Sequence, residues 1–239
     1  MGQNWAAQDR AGQEWYGTLG VFDLETTGID VVTSRIVSAN VSVIGPGGDV
    51  LERRDWLADP GVEIPPQASA VHGITTERAR REGRAAAEVV AEIIDAIRSV
   101  FGSGLALTVY NAPYDLSLLQ HEAIRHGVEP LREPAPVIDP LVIDKAVDRY
   151  RKGKRTLEVA AAVYGVSLTD AHDAGADAIA AGRVAQAMAA RHPAELAVPA
   201  LELHRLQAEW SAQQSASFAE YMRRTHNPDF VETTGWPQR

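Results

Sequence analysis

Cysteine is absent from the 239 residues, which excludes disulfides, thiolate metal centres and cysteine nucleophiles. No apolar run approaches the roughly 20 residues that a membrane helix needs. The opening MGQNWAAQDRAGQEWYG shows no basic leader running into an apolar stretch. The expectation is a soluble, cytoplasmic protein with no membrane partner. An excess of positive charge is missing too: 23 Lys and Arg face 32 Asp and Glu, a formal net of −9. A passive nucleic-acid coat needs the opposite balance, whereas an enzyme that gathers carboxylates around metal ions does not. There is no internal repeat and no long low-complexity tract, although 155–191 is rich in alanine. What is present is ordinary globular composition, 45% apolar and 23% charged. A chain of this size buries roughly 70% of its unfolded surface, enough for a self-sufficient core.

Residues 1–16 read as a flexible polar leader, with Trp5 and Trp15 as isolated apolar points and order beginning near Thr18. TLGVFDLETTG is a short apolar run ending in a turn, which predicts a buried strand. A second strand is predicted over 35–44 and a third over 50–57, joined by the turn residues GPGGD. From Ala85 to Phe101 the apolar residues Ala86, Val90, Ile93, Ile97 and Val100 form one helical stripe. LALTVY (105–110) predicts a central strand, and a helix follows from Pro113 to about Arg125. Ala135–Ile138 fits a fifth strand; further helices are expected over about 139–148, 156–164 and 174–190. Strands first and then alternating strands and helices predict an α/β fold with a mixed five-stranded sheet flanked by helices. Residues 192–239 look like an added helical extension and tail, with Leu203, Leu206, Trp210, Phe218 and Tyr221 roughly on one face. Packing back on the main domain is the default for such a stripe. A dimer contact or a polymerase partner are the alternatives.

Three clusters carry the chemistry. In Asp23-Leu24-Glu25 the two acids point to the same face of a strand, while Phe22 and Leu24 point to the other. Adjacent anions of this kind are unfavourable without a cation, although a solvated strand end also tolerates them. In Tyr110-Asn111-Ala112-Pro113-Tyr114-Asp115 the acid falls in the first turn of a predicted helix, a place that the helix dipole also favours. In His172-Asp173-Ala174-Gly175-Ala176-Asp177 the histidine and the second acid would stand roughly 140° apart on a continuous helix. They can serve one site only if His172 lies before the helix, where Asp173 is suited to cap it.

FDLETTG, YNAPYD and HDAGADA, in this order, resemble the three motifs of the DEDDh (DnaQ-like) exonucleases, D-x-E, N-x-x-x-D and H-x-A-x-x-D. VHGIT at 71–75 resembles that family's connector ahead of the first long helix, and the likeness spans about residues 17–190. The exonuclease domain is accordingly expected over 17–191. The resemblance implies an RNase H-like fold, two divalent ions (Mg²⁺ or Mn²⁺) and hydrolysis from a 3′ end to nucleoside 5′-monophosphates. It makes Asp23, Glu25, Asp115 and Asp177 the metal-binding acids and His172 the general base. The residue chemistry agrees. Hard cations take oxygen ligands, four carboxylates balance two divalent ions, and imidazole accepts a proton near neutral pH.

Substrate contacts are expected from the backbone at Thr26, Thr27 and Gly28, and from His72, Asn111 and Tyr150. Where the family commonly has His-Asn-Ala this chain has Tyr110, and Tyr114 stands where phenylalanine is usual and is expected in the core. Residues 149–155 hold five cations in seven positions, and Arg78, Arg80, Arg81 and Arg84 form a second cluster. Both suit phosphate guidance, and both also suit solvated loops. The expected partners are single-stranded 3′ ends, DNA ahead of RNA. RNA-end trimming is the alternative enzymatic reading, and a non-hydrolytic nucleic-acid or polymerase-binding module is the third.

Overall fold

The computed structural model of the chain describes residues 14–168, 171–232 and 235–239. Strands β1 (Leu19–Thr26), β2 (Ile36–Ile44) and β3 (Val50–Asp59) form an antiparallel meander. Helices α1 (Pro66–His72) and α2 (Thr76–Glu82) follow, then a two-residue strand β4 (Arg84–Ala85) and the long α3 (Ala86–Gly102). Strand β5 (Leu107–Thr108), helix α4 (Ala112–His126) and strand β6 (Val137–Ile138) complete the sheet. Helices α5 (Pro140–Val147), α6 (Leu157–Tyr164), α7 (Ala174–Arg191), α8 (Pro193–Leu196) and α9 (Ala200–Thr225) end the chain. The sheet order is β4-β3-β2-β1-β5-β6, with β5 parallel to β1 and β6 parallel to β5.

All five expected strands are present, and β4 adds a sixth at the edge, too short to leave a periodic signal. The segment around VHGIT is not a plain connector: it forms α1 and α2, with the Thr75 hydroxyl capping α2 by accepting from the Arg78 N–H.

The two-residue period of β1 sorts its side chains between two cores. Phe22 and Leu24 join the cluster under α3 and α4, where Val90, Ile93, Ile97, Leu116 and Leu119 are buried. Leu19 and Val21 join the opposite cluster with Ile179, Val184 and Met188 of α7. Each such side chain contributes about 1.5–3 kcal/mol by leaving water. α7 lies this close to the sheet because Gly182 has no side chain: a Cβ there would stand 2.5 Å from Val21 Cγ1 and 2.6 Å from Ile44 Cδ1. Asp23 and Glu25 continue the Leu19–Val21 face. They therefore point toward the N-terminal end of α7.

Two expectations are corrected at the chain's margins. Trp15 is not a point in a flexible leader: it is buried beside Leu196 and Leu203, and its ring N–H donates to the Leu196 carbonyl at 2.9 Å. Residues 1–13, including Trp5, lie outside the described residues. The α9 stripe is also shorter than its sequence pattern. Leu203 is buried and Leu206 and Trp210 are half-buried, but Phe218 and Tyr221 are each 47% exposed. At about 39 Å, the 26-residue helix outruns the surface it packs on.

α9 also closes the sheet. The Val137 N–H donates to His204 Nδ1 (3.0 Å), the Asp139 N–H donates to Gln207 Oε1 (2.6 Å), and Gln207 Nε2 donates to the Val137 carbonyl (3.0 Å). Two side chains thus satisfy the outer edge of β6, which an unpaired edge strand would leave to water or to another chain.

Candidate active site

The acids of β1 meet those of α4 and α7 at one end of the sheet. Asp115, in the first turn of α4, is 3% exposed, and its Oδ1 accepts the Leu24 N–H at 3.1 Å. That bond ties Asp115 to the strand between Asp23 and Glu25. His172 precedes α7, as a shared site requires, with a left-handed backbone (φ 70°) and its N–H donating to Asp177 Oδ2 at 3.1 Å. Asp173 caps α7 by accepting the Ala176 N–H at 3.0 Å. Ligand atoms of Glu25, His172 and Asp177 all lie within 4.8 Å of one another.

Four carboxylates in one recess raise each other's affinity for protons. Burial first, and then the charges of Asp115, Glu25 and Asp177, push Asp23 well above the usual carboxylate range. Burial and the neighbouring Asp177 and Asp173 push Glu25 up to about 8. Asp115 and Asp177 are raised as well, chiefly by burial. Asp177 Oδ1 is buried with no hydrogen-bond partner among the described residues. Hard oxygen donors, mutual repulsion and an unsatisfied buried oxygen are what a divalent cation resolves, so the residues present fit one.

The turn after β1 is held from within. Thr26 Oγ1 donates to the Gly28 carbonyl (2.8 Å), and Thr27 Oγ1 accepts the Arg35 N–H (2.9 Å). Tyr114 packs its ring against the core as expected, while its hydroxyl donates to the Gly28 carbonyl at 2.6 Å. The side chains of Thr26 and Thr27 are thus occupied in the turn. His72 stands close to Thr26 and His172, and its Nε2 is buried without a partner among the described residues. Burial keeps its imidazole below the ordinary pKa. A cleft of about 390 Å³ beside the site is lined by Ser38, Arg53, His72, Arg78 and His172.

The structure does not bring every candidate here. Tyr150 is 89% exposed, with the Arg149 guanidinium 6.0 Å from its ring centroid. In the basic segment around it, Arg151 and Arg155 turn inward and pair with the fully buried Asp144. Only Arg149, Lys152 and Lys154 remain outside. In the second cluster Arg78 and Arg81 pair with Glu82, and Arg84 pairs with Glu88 and Glu92. Pairing with a buried acid thus accounts for Arg151 and Arg155, whereas the pairs of Arg78, Arg81 and Arg84 lie at the surface.

Two supports carried no recognisable motif. Asn40, in register with Asp23, donates to Asp55 Oδ1 (2.8 Å), which also accepts from Arg53 Nη2 (2.9 Å). Arg53 in turn lies 3.6 Å from Asp173 at the start of α7. Gly175 makes room for it, since a Cβ there would stand 2.3 Å from the Arg53 guanidinium. Asp139 is fully buried and accepts from the N–H groups of Asn111 and Ala112 (3.0 Å each) and from Trp236 Nε1 (3.2 Å). It thereby sets the left-handed turn at Asn111 (φ 63°) from which α4 presents Asp115. An Asp directly before the proline that opens α5 is a helix-cap signature, the one local signal from which it could have been found.

An RNase H-like sheet with four acids and a histidine at one end defines a metal-dependent nuclease. The chain belongs to the DnaQ-like exonuclease family: the RNase T family model, described as exonuclease, matches residues 21–185. A PolC-type DNA polymerase III of Streptococcus thermophilus is 29% identical over 168 residues, which is 70% of this chain and 11% of the relative. The enzyme of the same name from Lacticaseibacillus paracasei is 28% identical over 168 residues, with the same coverage. The chain thus spans about a tenth of the length of these relatives. E. coli exonuclease I in complex with a dA16 oligonucleotide matches with a TM-score of 0.63 at 22% identity, over 74% of this chain and 42% of that one. Exonuclease I from Methylocaldum szegediense gives 0.61 at 22% identity, over 74% and 41%. At this identity the likeness is one of fold. The family is divalent-metal dependent. No described helix is long and apolar enough to cross a membrane.

Proposed function

We propose that the protein is a 3′–5′ exonuclease that removes nucleoside 5′-monophosphates from single-stranded ends, with DNA as the preferred polymer. Convergence of Asp23, Glu25, Asp115, Asp177 and His172 in one recess carries the reading. That E. coli exonuclease I was solved with dA16 and dT13 oligonucleotides supports the choice of polymer. In this reading residues 17–191 form the catalytic unit and 192–239 an extension packed on it.

The four acids would hold two divalent ions, Mg²⁺ or Mn²⁺, which when bound supply Lewis-acid activation of water and neutralise the phosphodiester. His172 takes a proton from the attacking water; as the water oxygen bonds to phosphorus, the bond from phosphorus to the 3′ oxygen breaks. Asp177 holds His172 in place through its backbone N–H. Gly28, pinned by Thr26 and Tyr114, and His72, which lines the adjoining cleft, would contact the terminal nucleotide.

The test is digestion of 5′-labelled single-stranded DNA and matched RNA with Mg²⁺ or Mn²⁺. A ladder shortening from the 3′ end, absent in Asp23→Ala, is expected, with DNA cut faster. Faster cleavage of RNA would reassign the polymer. Absence of a ladder on both would overturn the hydrolytic reading.

A further inference from the structure

A groove of about 980 Å³ begins at Asn111 and Pro113, just ahead of Asp115, and is walled by α5 on one side and α9 on the other. Nothing in the reaction above uses it. Its charged residues run against the rest of the chain: Lys145, Arg149 and Arg239 line it, in a protein of net charge −9. Lys145 and Arg149 are exposed and, unlike Arg151 and Arg155, form no ion pair among the described residues. Of the acids on its wall, Asp139 is already saturated by hydrogen bonds, which leaves Glu232. Trp210 and Phe218 supply aromatic surface, and Phe230 braces Phe218 edge-on at 5.7 Å. Much of the remaining α9 wall is Ser and Gln, which suits a polar ligand better than an apolar protein surface.

Free cations on one wall of a groove and aromatic rings on the other are a way to hold a single strand without reading its sequence. The groove's inner end is the turn that presents Asp115, so a strand with its 3′ terminus at the carboxylates meets the groove as it leaves. We infer that this groove carries the nucleotides on the 5′ side of the cleaved bond. Lys145 and Arg149 hold their phosphates, and Phe218 and Trp210 stack with their bases. The inference rests on the exonuclease reading and extends it: the extension becomes part of the substrate site, and affinity depends on strand length.

The test compares Lys145→Gln/Arg149→Gln and Phe218→Ala with wild type on a dodecathymidylate and on a dinucleotide too short to reach the groove. KM for the longer strand is expected to rise about tenfold in each variant, while kcat and both parameters on the dinucleotide hold. Removing two phosphate contacts should also lower the slope of log KM against log salt by about 1.4, which a purely structural effect would not do. Equal losses on both lengths, or no loss on either, overturn the assignment. If wild type hydrolyses neither, the proposed function fails, and anisotropy of labelled dodecathymidylate still judges the groove: weaker binding in both variants supports it and unchanged binding overturns it.

Discussion

Removing one of the site's own carboxylates should make the metal-free protein more stable. Burial and like charges raise Glu25 from an ordinary value of 4.5 to about 8. Between those limits the folded chain keeps a proton that the unfolded chain has released, so folding takes up a proton and stability falls as pH rises. At about 1.36 kcal/mol per pH unit, the full shift is worth about 5 kcal/mol above pH 8; screening by the water that reaches the site reduces this to about 2–4 kcal/mol. Glu25→Gln cannot ionise and escapes the loss. In chelator, urea denaturation should find wild type and Glu25→Gln nearly equal near pH 4.5, and the variant more stable by about 2–4 kcal/mol at pH 8. Mg²⁺ at about a thousand times its Kd should close or reverse the gap, since it then stabilises the wild type by about 4.1 kcal/mol. A variant no more stable than wild type in chelator at pH 8 would refute the argument that these carboxylates repel one another in the fold.

Asp177→Ala should abolish hydrolysis, and His172→Ala should lower kcat while calorimetry shows Mn²⁺ binding largely retained. Gly175→Ala puts a methyl group into the Arg53 guanidinium, so it should displace the start of α7 and reduce turnover at least tenfold, read by steady-state kinetics. Gln207→Leu keeps the volume but strips partners from the Asp139 N–H and the Val137 carbonyl; at about 1–3 kcal/mol for each orphaned group, urea denaturation should show a loss of about 2–6 kcal/mol. Trp15→Ala should cost about 3–5 kcal/mol by the same assay, whereas a residue in a mobile leader would cost nothing measurable.

Much of this molecule is legible from local chemistry. The period of β1 alone puts Asp23 and Glu25 on one face, and the helical angle between His172 and Asp177 demands that the histidine precede its helix. Both follow from backbone geometry, which every residue carries with it. The stripe of α3 and the turn at GPGGD are equally local. Contacts between segments distant in the chain are another matter. Trp15 looks like an isolated apolar point until Leu196 and Leu203 close over it. Arg151 and Arg155 look like a phosphate track until Asp144 is found buried beneath them. Asn40, Arg53 and Asp55 belong to no motif, because what makes them matter is the register of β2 and β3 against β1. The sequence by itself determined which residues could bind metal, since carboxylate chemistry and strand period are local properties. Only the tertiary structure decided which cations are neutralised, which edges are sealed and where a groove lies open, because burial and charge pairing depend on neighbours brought together by folding.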